Sequence, residues 1–283
     1  MSLKYKITLL LGAILVLIWF FLLVFNFDGK LRVYFLNVGQ GDSVFIETPD
    51  KVQVVIDGGP DNSVLAELSS VMPFYDREID LLIFTHPQKD HIFGLIDILK
   101  RYKVNNIMFS NIIYKNSFYD EIKKLVEEKN INRIEAKAGV RLGLGEFVYM
   151  DILYPFSDID GVKIKNPNDI SLALILNFLD KKFLFSGDAE LKEELDLVNS
   201  GLNIDVDILK INHHGSKTSS TELFLEKTSP EIAVISVGKN NQYNHPSPEV
   251  LERLNKVRLF RTDLNGMVKI ITDGSKLDYK TEF

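Results

Sequence analysis

The hydrophobic and polar positions divide the chain into one long apolar segment and a following series of short strand-like and helix-like runs. Ile7–Phe25 contains no charged residue and no proline. At about 1.5 Å of rise per residue, a helix over this run nearly crosses the ~30 Å hydrocarbon core of a bilayer. The run is longer than the apolar core of a signal peptide and no A-x-A-like site ends it. We therefore predict a membrane anchor, with a cleaved signal peptide and a buried core helix as the alternatives.

The charges around this segment indicate its orientation. Lys4 and Lys6 precede it, and the first acidic residue, Asp28, follows it. Because cytoplasmic flanks are enriched in lysine and arginine, the amino end is expected in the cytoplasm. The few residues after the anchor are too short to form a flexible linker. We predict a single-pass anchor in the cell membrane over residues 1–30, and an extracytoplasmic domain over residues 31–283 close to the bilayer.

Beyond the anchor, short apolar runs predict strands and then strand–helix units. A GQGD turn and a PDK turn separate three β-rich runs, which indicates an antiparallel meander over Leu31–Val38, Ser43–Thr48 and Val52–Asp57. The continuous apolar run Asp80–Thr85 predicts a buried strand, and helical spacing follows over His91–Tyr102 and Ser117–Lys129.

The second half of the chain repeats this rhythm. Strands are predicted over Phe147–Tyr154, Ile170–Phe178, Lys182–Ser186, Val206–Ile211 and Ile232–Ser236. Helices are predicted between and after them, over Ala189–Asn199, Ser219–Lys227 and Ser247–Lys256. Two mixed sheets that pack face to face, with helices outside them, would satisfy both halves.

Composition then narrows the chemistry. The chain of 283 residues is 46% hydrophobic and 25% charged, which is typical of a globular protein and excludes a disordered one. The absence of cysteine excludes disulfides, iron–sulfur clusters, cysteine-ligated zinc and a cysteine nucleophile. A net charge of -6 gives no overall attraction for nucleic acid, although a local basic groove is compatible with it.

All 5 histidines lie at or just beyond the end of a predicted strand, where a rigid scaffold presents functional side chains. Between the buried strand and the helix that follows, a tight turn lets His86, Asp90 and His91 converge on one point. Imidazole and carboxylate groups suit zinc, manganese or iron. The alternative is a helix-capping turn in which Asp90 is the N-cap.

Further candidates follow other strands. Asp188 could bridge two cations, although Asp-Gly pairs are also common in turns. Since adjacent side chains diverge on a strand, only one of His213 and His214 should reach a given metal. His245 could be a general acid or an oxyanion donor. Asp57 could hold the far nitrogen of a ligating histidine.

Together these motifs resemble the metallo-β-lactamase superfamily and, more narrowly, the hydrolase-like domain at the carboxyl end of ComEC-type competence proteins. The resemblance covers roughly residues 31–272. It rests on the order of the segments FLNVGQGDS (Phe35–Ser43), VVIDGG (Val54–Gly59), THPQKDH (Thr85–His91), SLALIL (Ser171–Leu176), FSGD (Phe185–Asp188), LKINHHGS (Leu209–Ser216) and NHPSPEVLERL (Asn244–Leu254). It implies an α/β fold, an αββα sandwich with a metal site where the two sheets meet.

The resemblance also implies the metal ligands, which are His86, Asp90, His91, Asp188 and one of His213 and His214. Asp188 would bridge two cations and Asp57 would support a ligating histidine. Gln88 stands where the superfamily pattern HxHxDH has its second histidine, and a further histidine before the SGD strand is absent. One tightly bound zinc or manganese is therefore expected, and a second cation is left open.

The expected function is hydrolysis by a metal-activated water, oriented by Asp90. His245, with Ser216 or Lys217, would stabilise charge on the phosphoryl oxygens. From the resemblance we expect a membrane-anchored hydrolase of phosphodiesters such as DNA, in a DNA-uptake-like role beside a separate channel protein. The alternatives are a non-catalytic metal- or DNA-binding module with a degenerate site, and a hydrolase of another ester. The oligomeric state is left open.

Overall fold

Two mixed β-sheets that pack face to face form the centre of the protein. Its computed structural model describes residues 2–25 and 28–283. In this part of the chain the strands are β1 (Leu31–Phe35), β2 (Val44–Glu47), β3 (Gln53–Ile56), β4 (Glu78–Ile83), β5 (Lys103–Phe109), β6 (Asn132–Glu135), β7 (Arg141–Gly143), β8 (Val148–Tyr154), β9 (Ala173–Phe178), β10 (Lys181–Phe185), β11 (Ile208–Lys210), β12 (Ile232–Ile235), β13 (Arg258–Arg261), β14 (Val268–Thr272) and β15 (Leu277–Thr281).

The helices of the described residues are α1 (Leu3–Phe25), α2 (Ser63–Val71), α3 (Lys89–Arg101), α4 (Ser117–Glu128), α5 (Leu191–Asn199), α6 (Glu222–Thr228), α7 (Pro248–Arg253) and α8 (Thr262–Asn265). Short 3-10 turns lie over Pro167–Ile170 and Asn212–Gly215.

The strand order confirms the predicted pair of mixed sheets. The first sheet runs β15-β14-β1-β2-β3-β4-β5-β6 and the second runs β13-β12-β11-β10-β9-β8-β7. In the first sheet, β1, β2 and β3 form the predicted antiparallel meander, and β3 to β6 are parallel. In the second sheet, β7 to β10 are antiparallel and β10 to β13 are parallel.

Three apolar layers join these elements into an αββα sandwich. Phe35 and Phe185 belong to the layer between the two sheets. Leu95 on α3 belongs to the layer outside the first sheet, and Phe224 on α6 to the layer outside the second. Each such side chain stabilises the fold by about 1.5–3 kcal/mol when it is fully buried. The predicted fold class is confirmed.

Several elements differ from their predicted form. The strand predicted over Ile170–Phe178 begins instead at Ala173. The preceding residues form a 3-10 turn, because the Asn166 side chain caps it by accepting from the backbone N–H of Asn168, and Pro167 occupies its first position. The sequence analysis did not predict α2, β6, β7 and α8. The last three have only 4, 3 and 4 residues, too few for a period to be read.

The amino-terminal helix stands apart from the sandwich. Over Leu3–Phe21 it is long and apolar enough to cross a membrane, and none of this span is buried against the rest of the protein. An apolar helix that is exposed over Leu3–Phe21 is what a lipid environment would stabilise. Asn26 and Phe27, which begin the predicted short connection to the domain, lie outside the described residues.

The loops after β3, β4, β10 and β11 meet at one edge of the sandwich, which we call the carboxyl edge. Leu172 donates a backbone hydrogen bond of 3.0 Å to Thr85, which follows β4. His213, which follows β11, donates one of 3.2 Å to Gly187, which follows β10. The ends of strands from both sheets are therefore held together by backbone contacts. Side chains on these loops share one small volume.

Substitution of Gly94 tests how closely α3 must pack against the loop that follows β3. A Cβ atom at Gly94 would lie 2.0 Å from the backbone oxygen of Gly58. We expect Gly94→Ala to lower the free energy of unfolding by about 1–3 kcal/mol, because this clash outweighs the better helix propensity of alanine. Chemical denaturation in detergent micelles measures the change. Gly143→Ala is the control, since nothing lies within 4 Å of its Cβ position. Equal stability of the two variants would contradict the packing argument.

Candidate metal centre

Two imidazoles and two carboxylates form a compact group at the carboxyl edge. Asp90, His91, Asp188 and His214 each offer a ligand atom, and these four atoms lie within 4.8 Å of one another. His91 Nε2 is 3.3 Å from Asp188 Oδ1. His214 Nε2 is 3.4 Å from Asp90 Oδ2 and 3.7 Å from Asp188 Oδ2. This donor set suits zinc or manganese.

The ligand atoms of this group lack other partners. Among the described residues, the Nε2 atoms of His86, His91 and His214 and both carboxylate oxygens of Asp188 are buried and make no hydrogen bond. The distances of 3.3 Å and more between them are ion-pair contacts without hydrogen-bond geometry. Buried polar atoms are normally paired, so unpaired atoms that converge need a common partner. A divalent cation would satisfy all of them, and the residues present therefore fit one.

Contacts behind the histidines fix which nitrogen faces the centre. Asp57 Oδ2 lies 2.8 Å from His91 Nδ1. The same carboxylate accepts from the backbone N–H and the hydroxyl of Thr85, at 2.8 Å each. His214 Nδ1 lies 2.9 Å from the backbone oxygen of Ser236. With Nδ1 engaged in this way, Nε2 of each ring points at the centre, which is how supporting residues orient metal-binding histidines.

A buried lysine and aspartate, to which the sequence analysis gave no role, extend this support. Asp42 forms a buried ion pair with Lys210, and its Oδ1 lies 3.3 Å from His214 Nδ1. Lys210 also donates to the backbone oxygen of Gly187 at 3.1 Å, next to Asp188. Burial alone would raise the pKa of the Asp42 carboxyl, but Lys210 and His214 hold it well below its usual range. A signal was present, since Lys210 is a charged residue inside an apolar strand.

His86 occupies a second position beside Asp188. Its Nε2 is 3.8 Å from Asp188 Oδ2, and its Nδ1 is 3.0 Å from the hydroxyl of Thr85. Burial and the neighbouring His91 lower the pKa of His86 to about 3, so its ring is neutral. Gln88 donates to the side-chain oxygen of Asn168 at 2.7 Å. The polar side chains near His86 are therefore neutral amides, whereas the four-ligand group includes the carboxylates of Asp90 and Asp188.

The paired histidines do not lie on a strand, so the premise that their side chains diverge on one is wrong. Both residues have positive φ, 46° at His213 and 53° at His214, inside the 3-10 turn after β11. This turn directs His214 into the four-ligand group. His213 Nε2 is 3.8 Å from Asp188 Oδ2, and its Nδ1 is 3.1 Å from Glu190 Oε1. Both imidazoles consequently approach Asp188, and His213 is the more exposed of the two.

The other predicted site residues lie on the rim. The His245 ring is 5.8 Å from that of His213, centroid to centroid. The Ser216 hydroxyl is 2.9 Å from that of Thr218 and so has a partner within its own loop. Lys217 is exposed and lines a groove of about 750 Å³ that also contains Arg253.

A second groove opens on the other side of the centre. It measures about 510 Å³, and its lining includes Asp90, Lys89, Gln40 and Tyr243. The Tyr243 ring is 5.7 Å from the His245 ring. Lys89 is thus the basic side chain in the groove that contains Asp90, whereas the groove of Lys217 and Arg253 also holds four carboxylates, those of Asp169, Glu190, Glu193 and Asp196.

Comparison with known proteins identifies the same fold. The family model described as "Metallo-beta-lactamase superfamily" matches residues 36–239. The chain is 30% identical over 278 residues to ComE operon protein 3 of Bacillus subtilis, covering 91% of this chain and 35% of that protein. It is 30% identical over 266 residues to Recombination protein 2 of Haemophilus influenzae, covering 90% and 31%. The chain thus spans about a third of the length of these relatives.

Among solved structures, the metallo-beta-lactamase fold protein YhfI from Bacillus subtilis superimposes with a TM-score of 0.57. The sequence identity is 10%, and the match covers 85% of this chain and 99% of that one. At this identity the likeness establishes the fold alone.

The charges of the centre predict that a cation displaces protons. Burial alone would lower the pKa of His214, but Asp188 and Asp42 raise it to about 10, so without a cation this ring is protonated at pH 7. Ligation requires the neutral ring. We expect each bound zinc or manganese ion to release about one proton or more at pH 7, and its affinity to rise with pH. Titration calorimetry in buffers of different ionisation enthalpy counts the protons.

His245 provides the control for this measurement. Burial, together with His213 and His214, lowers its pKa, so its ring is already neutral at pH 7. Replacement of His245 by glutamine should leave the number of released protons unchanged, whereas His214→Gln should reduce it. A binding enthalpy independent of the buffer would contradict the protonation of the centre.

Proposed function

The chain belongs to the metallo-beta-lactamase superfamily, and on this premise we propose that it is a metal-dependent hydrolase of phosphodiester bonds. One observation carries the proposal: the ligand atoms of Asp90, His91, Asp188 and His214 converge in a space of a few ångströms, and Asp90 also lines a groove. A protein without an ion at this position would bury several charged groups with no partner, which is costly.

The residues around the centre would have different roles in such a reaction. A bound cation would polarise the substrate and lower the pKa of an attacking water. Asp90 is the most exposed of the four ligands, so its carboxylate can accept a proton of that water at Oδ1 or Oδ2 and orient it. His245 is neutral at pH 7, and its buried Nδ1 has no partner among the described residues. Since Nδ1 is buried, the nitrogen that can reach a substrate is Nε2, and in the tautomer with a proton there it can donate to a phosphoryl oxygen.

Two features support a polyanionic substrate. Lys89 lines the groove that contains Asp90 and could contact a phosphate there, whereas the groove of Lys217 and Arg253 also holds four carboxylates and adds no net positive charge. The exposed ring of Tyr243 stands in the same groove as Lys89, where a base could stack on it. Relatives named as a competence protein and a recombination protein also support DNA as the substrate, in an uptake-like role.

We further propose that α1 anchors the protein in the cell membrane as a single span, with the hydrolase domain outside the cytoplasm. The apolar character and exposure of α1 support anchoring, and the lysines before it support this orientation. The relatives are about three times as long as the matched region. A separate channel protein beside this chain would supply the passage that the longer relatives could contain in one polypeptide.

A non-catalytic role is the second candidate, and the Gln88–Asn168 pair favours it. Two neutral amides stand on the His86 side of Asp188. A site with one well-formed cation position could bind DNA without cleaving it. Elemental analysis of the purified chain, together with a nuclease assay, separates the two roles.

Removal of the cation or of Asp188 tests the hydrolase directly. We expect EDTA to abolish cleavage of a DNA oligonucleotide, and added manganese or zinc to restore it. Asp188→Asn should lower kcat by about 10³-fold or more, since metal-assisted catalysis contributes several kcal/mol to the barrier. Asp278→Asn, on the exposed edge strand β15, is the matched control and should retain full activity. Cleavage that survives both EDTA and Asp188→Asn would disprove the proposal.

A further inference from the structure

We infer that the edge of the sandwich opposite the metal centre rests on the surface of a lipid bilayer. This basal edge is defined by the exposed apolar side chains of four residues in three turns, Phe74, Tyr75, Phe147 and Leu179. The inference rests on the proposed anchoring of α1 and adds a second membrane contact, made by the domain itself.

The four side chains are unusually exposed for their type. Phe74 is 85% exposed and Tyr75 is 76% exposed, and their rings meet edge to face at 5.4 Å. Phe147 and Leu179 are 54% and 55% exposed. Single exposed apolar residues are ordinary, but several on one side of a protein mark an interaction surface. The partner of this surface has to be apolar where these side chains enter it.

The Phe74–Tyr75 turn lies at the start of the parallel strands of the first sheet. It follows α2 and directly precedes β4. The next residue, Asp76, accepts a 2.7 Å hydrogen bond from the side chain of Gln53, the first residue of β3. Since His86 and Asp57 follow the other ends of β4 and β3, the aromatic pair lies a full strand length from the metal centre.

The other two residues come from turns of the second sheet that contact turns of the first. Phe147 follows Glu146, whose backbone N–H donates to Asp50 in the β2–β3 turn at 2.9 Å. Leu179 lies in the β9–β10 turn, and the next residue donates to Gly274 in the β14–β15 turn at 3.2 Å. These hydrogen bonds place the turns of both sheets along one edge.

The chain joins the domain at this same edge. Leu31 is the first residue of β1 and pairs with Thr272, which leads into the β14–β15 turn. Six Cα–Cα steps connect Phe25, the last residue of α1, to Leu31, and fully extended they span at most about 20 Å. A helix in the bilayer consequently holds the basal edge within reach of the headgroups, with the carboxyl edge on the far side.

The arrangement of the side chains fits a flat surface better than a protein groove. They project from separate turns of two sheets. Aromatic rings favour the depth of the lipid headgroups, where one side of the ring contacts hydrocarbon and the other water. Acidic residues, among them Asp50 and Glu146, share these turns, so a zwitterionic lipid surface is the better match than a strongly anionic one.

The single tryptophan of the chain, Trp19, provides the test. The full chain is reconstituted into phosphatidylcholine vesicles, and fluorescence is quenched by lipids brominated near the headgroup end of the acyl chain or near the middle of the bilayer. Quenching of Trp19 in the unaltered chain reports whether α1 is in the bilayer. Absence of that quenching would refute the proposed anchoring of α1. This outcome is distinct from a failure of the basal-edge inference alone.

In a Trp19→Phe background, Phe74→Trp and Leu264→Trp are compared. Leu264 is 61% exposed on α8, which follows β13 at the carboxyl edge, so both substitutions replace an exposed apolar residue and neither should disturb folding. We expect the headgroup-level bromine to quench Phe74→Trp at least about threefold more than Leu264→Trp, with a blue shift of emission on addition of lipid.

Equal quenching at the two positions, with Trp19 quenched, would overturn the inference. A blue shift of Phe74→Trp emission that depends on protein concentration rather than on lipid would also overturn it, since it would assign the basal edge to a second copy of the chain.

Discussion

The buried charge of Asp188 is the constraint around which this site is built. Its carboxylate lies between two sheets, and neither oxygen makes a hydrogen bond among the described residues. An unpaired buried carboxylate is too costly to persist in an apolar interior. Four histidines lie within 4 Å of it from two different loops, and Lys210 donates to the peptide next to it. In the protein without an ion, protons on His91 and His214 balance the charge, and a divalent cation would take over that task.

The fold gives this cluster its rigidity. Asp57 and the backbone oxygen of Ser236 hold the outer nitrogens of His91 and His214, and backbone hydrogen bonds tie the loops of the two sheets to each other. The glycine of α3 that touches the β3 loop brings the helix bearing two of the ligands to the required depth. Ligand positions thus depend on packing several residues away from the centre.

The sequence predicted the parts of the site that follow strand ends in a fixed order. The sandwich and the meander followed from hydrophobic periodicity, because burial on one face imposes it. The separate apolar helix followed from a long run without charges. The ion pair of Asp42 and Lys210 was missed: Lys210 is recognisable as a charge inside an apolar strand, but its pairing with the distant Asp42 leaves no local pattern. The left-handed turn at His213 and His214 was missed for a related reason. Positive φ at two successive non-glycine residues depends on surrounding contacts, since propensity disfavours it.

The direction of the parallel strands has a consequence for how a substrate would arrive. Strands β3, β4, β10 and β11 all point from the turns near Leu31 towards the cluster, and the longer ones extend roughly 17–20 Å. In a protein anchored beside Leu31, the reaction would take place on the side of the domain farthest from the bilayer. A polymer lying flat along the lipid would pass beneath it. Only a strand that rises away from the bilayer, as one emerging from or descending into a neighbouring pore would, could thread across both grooves.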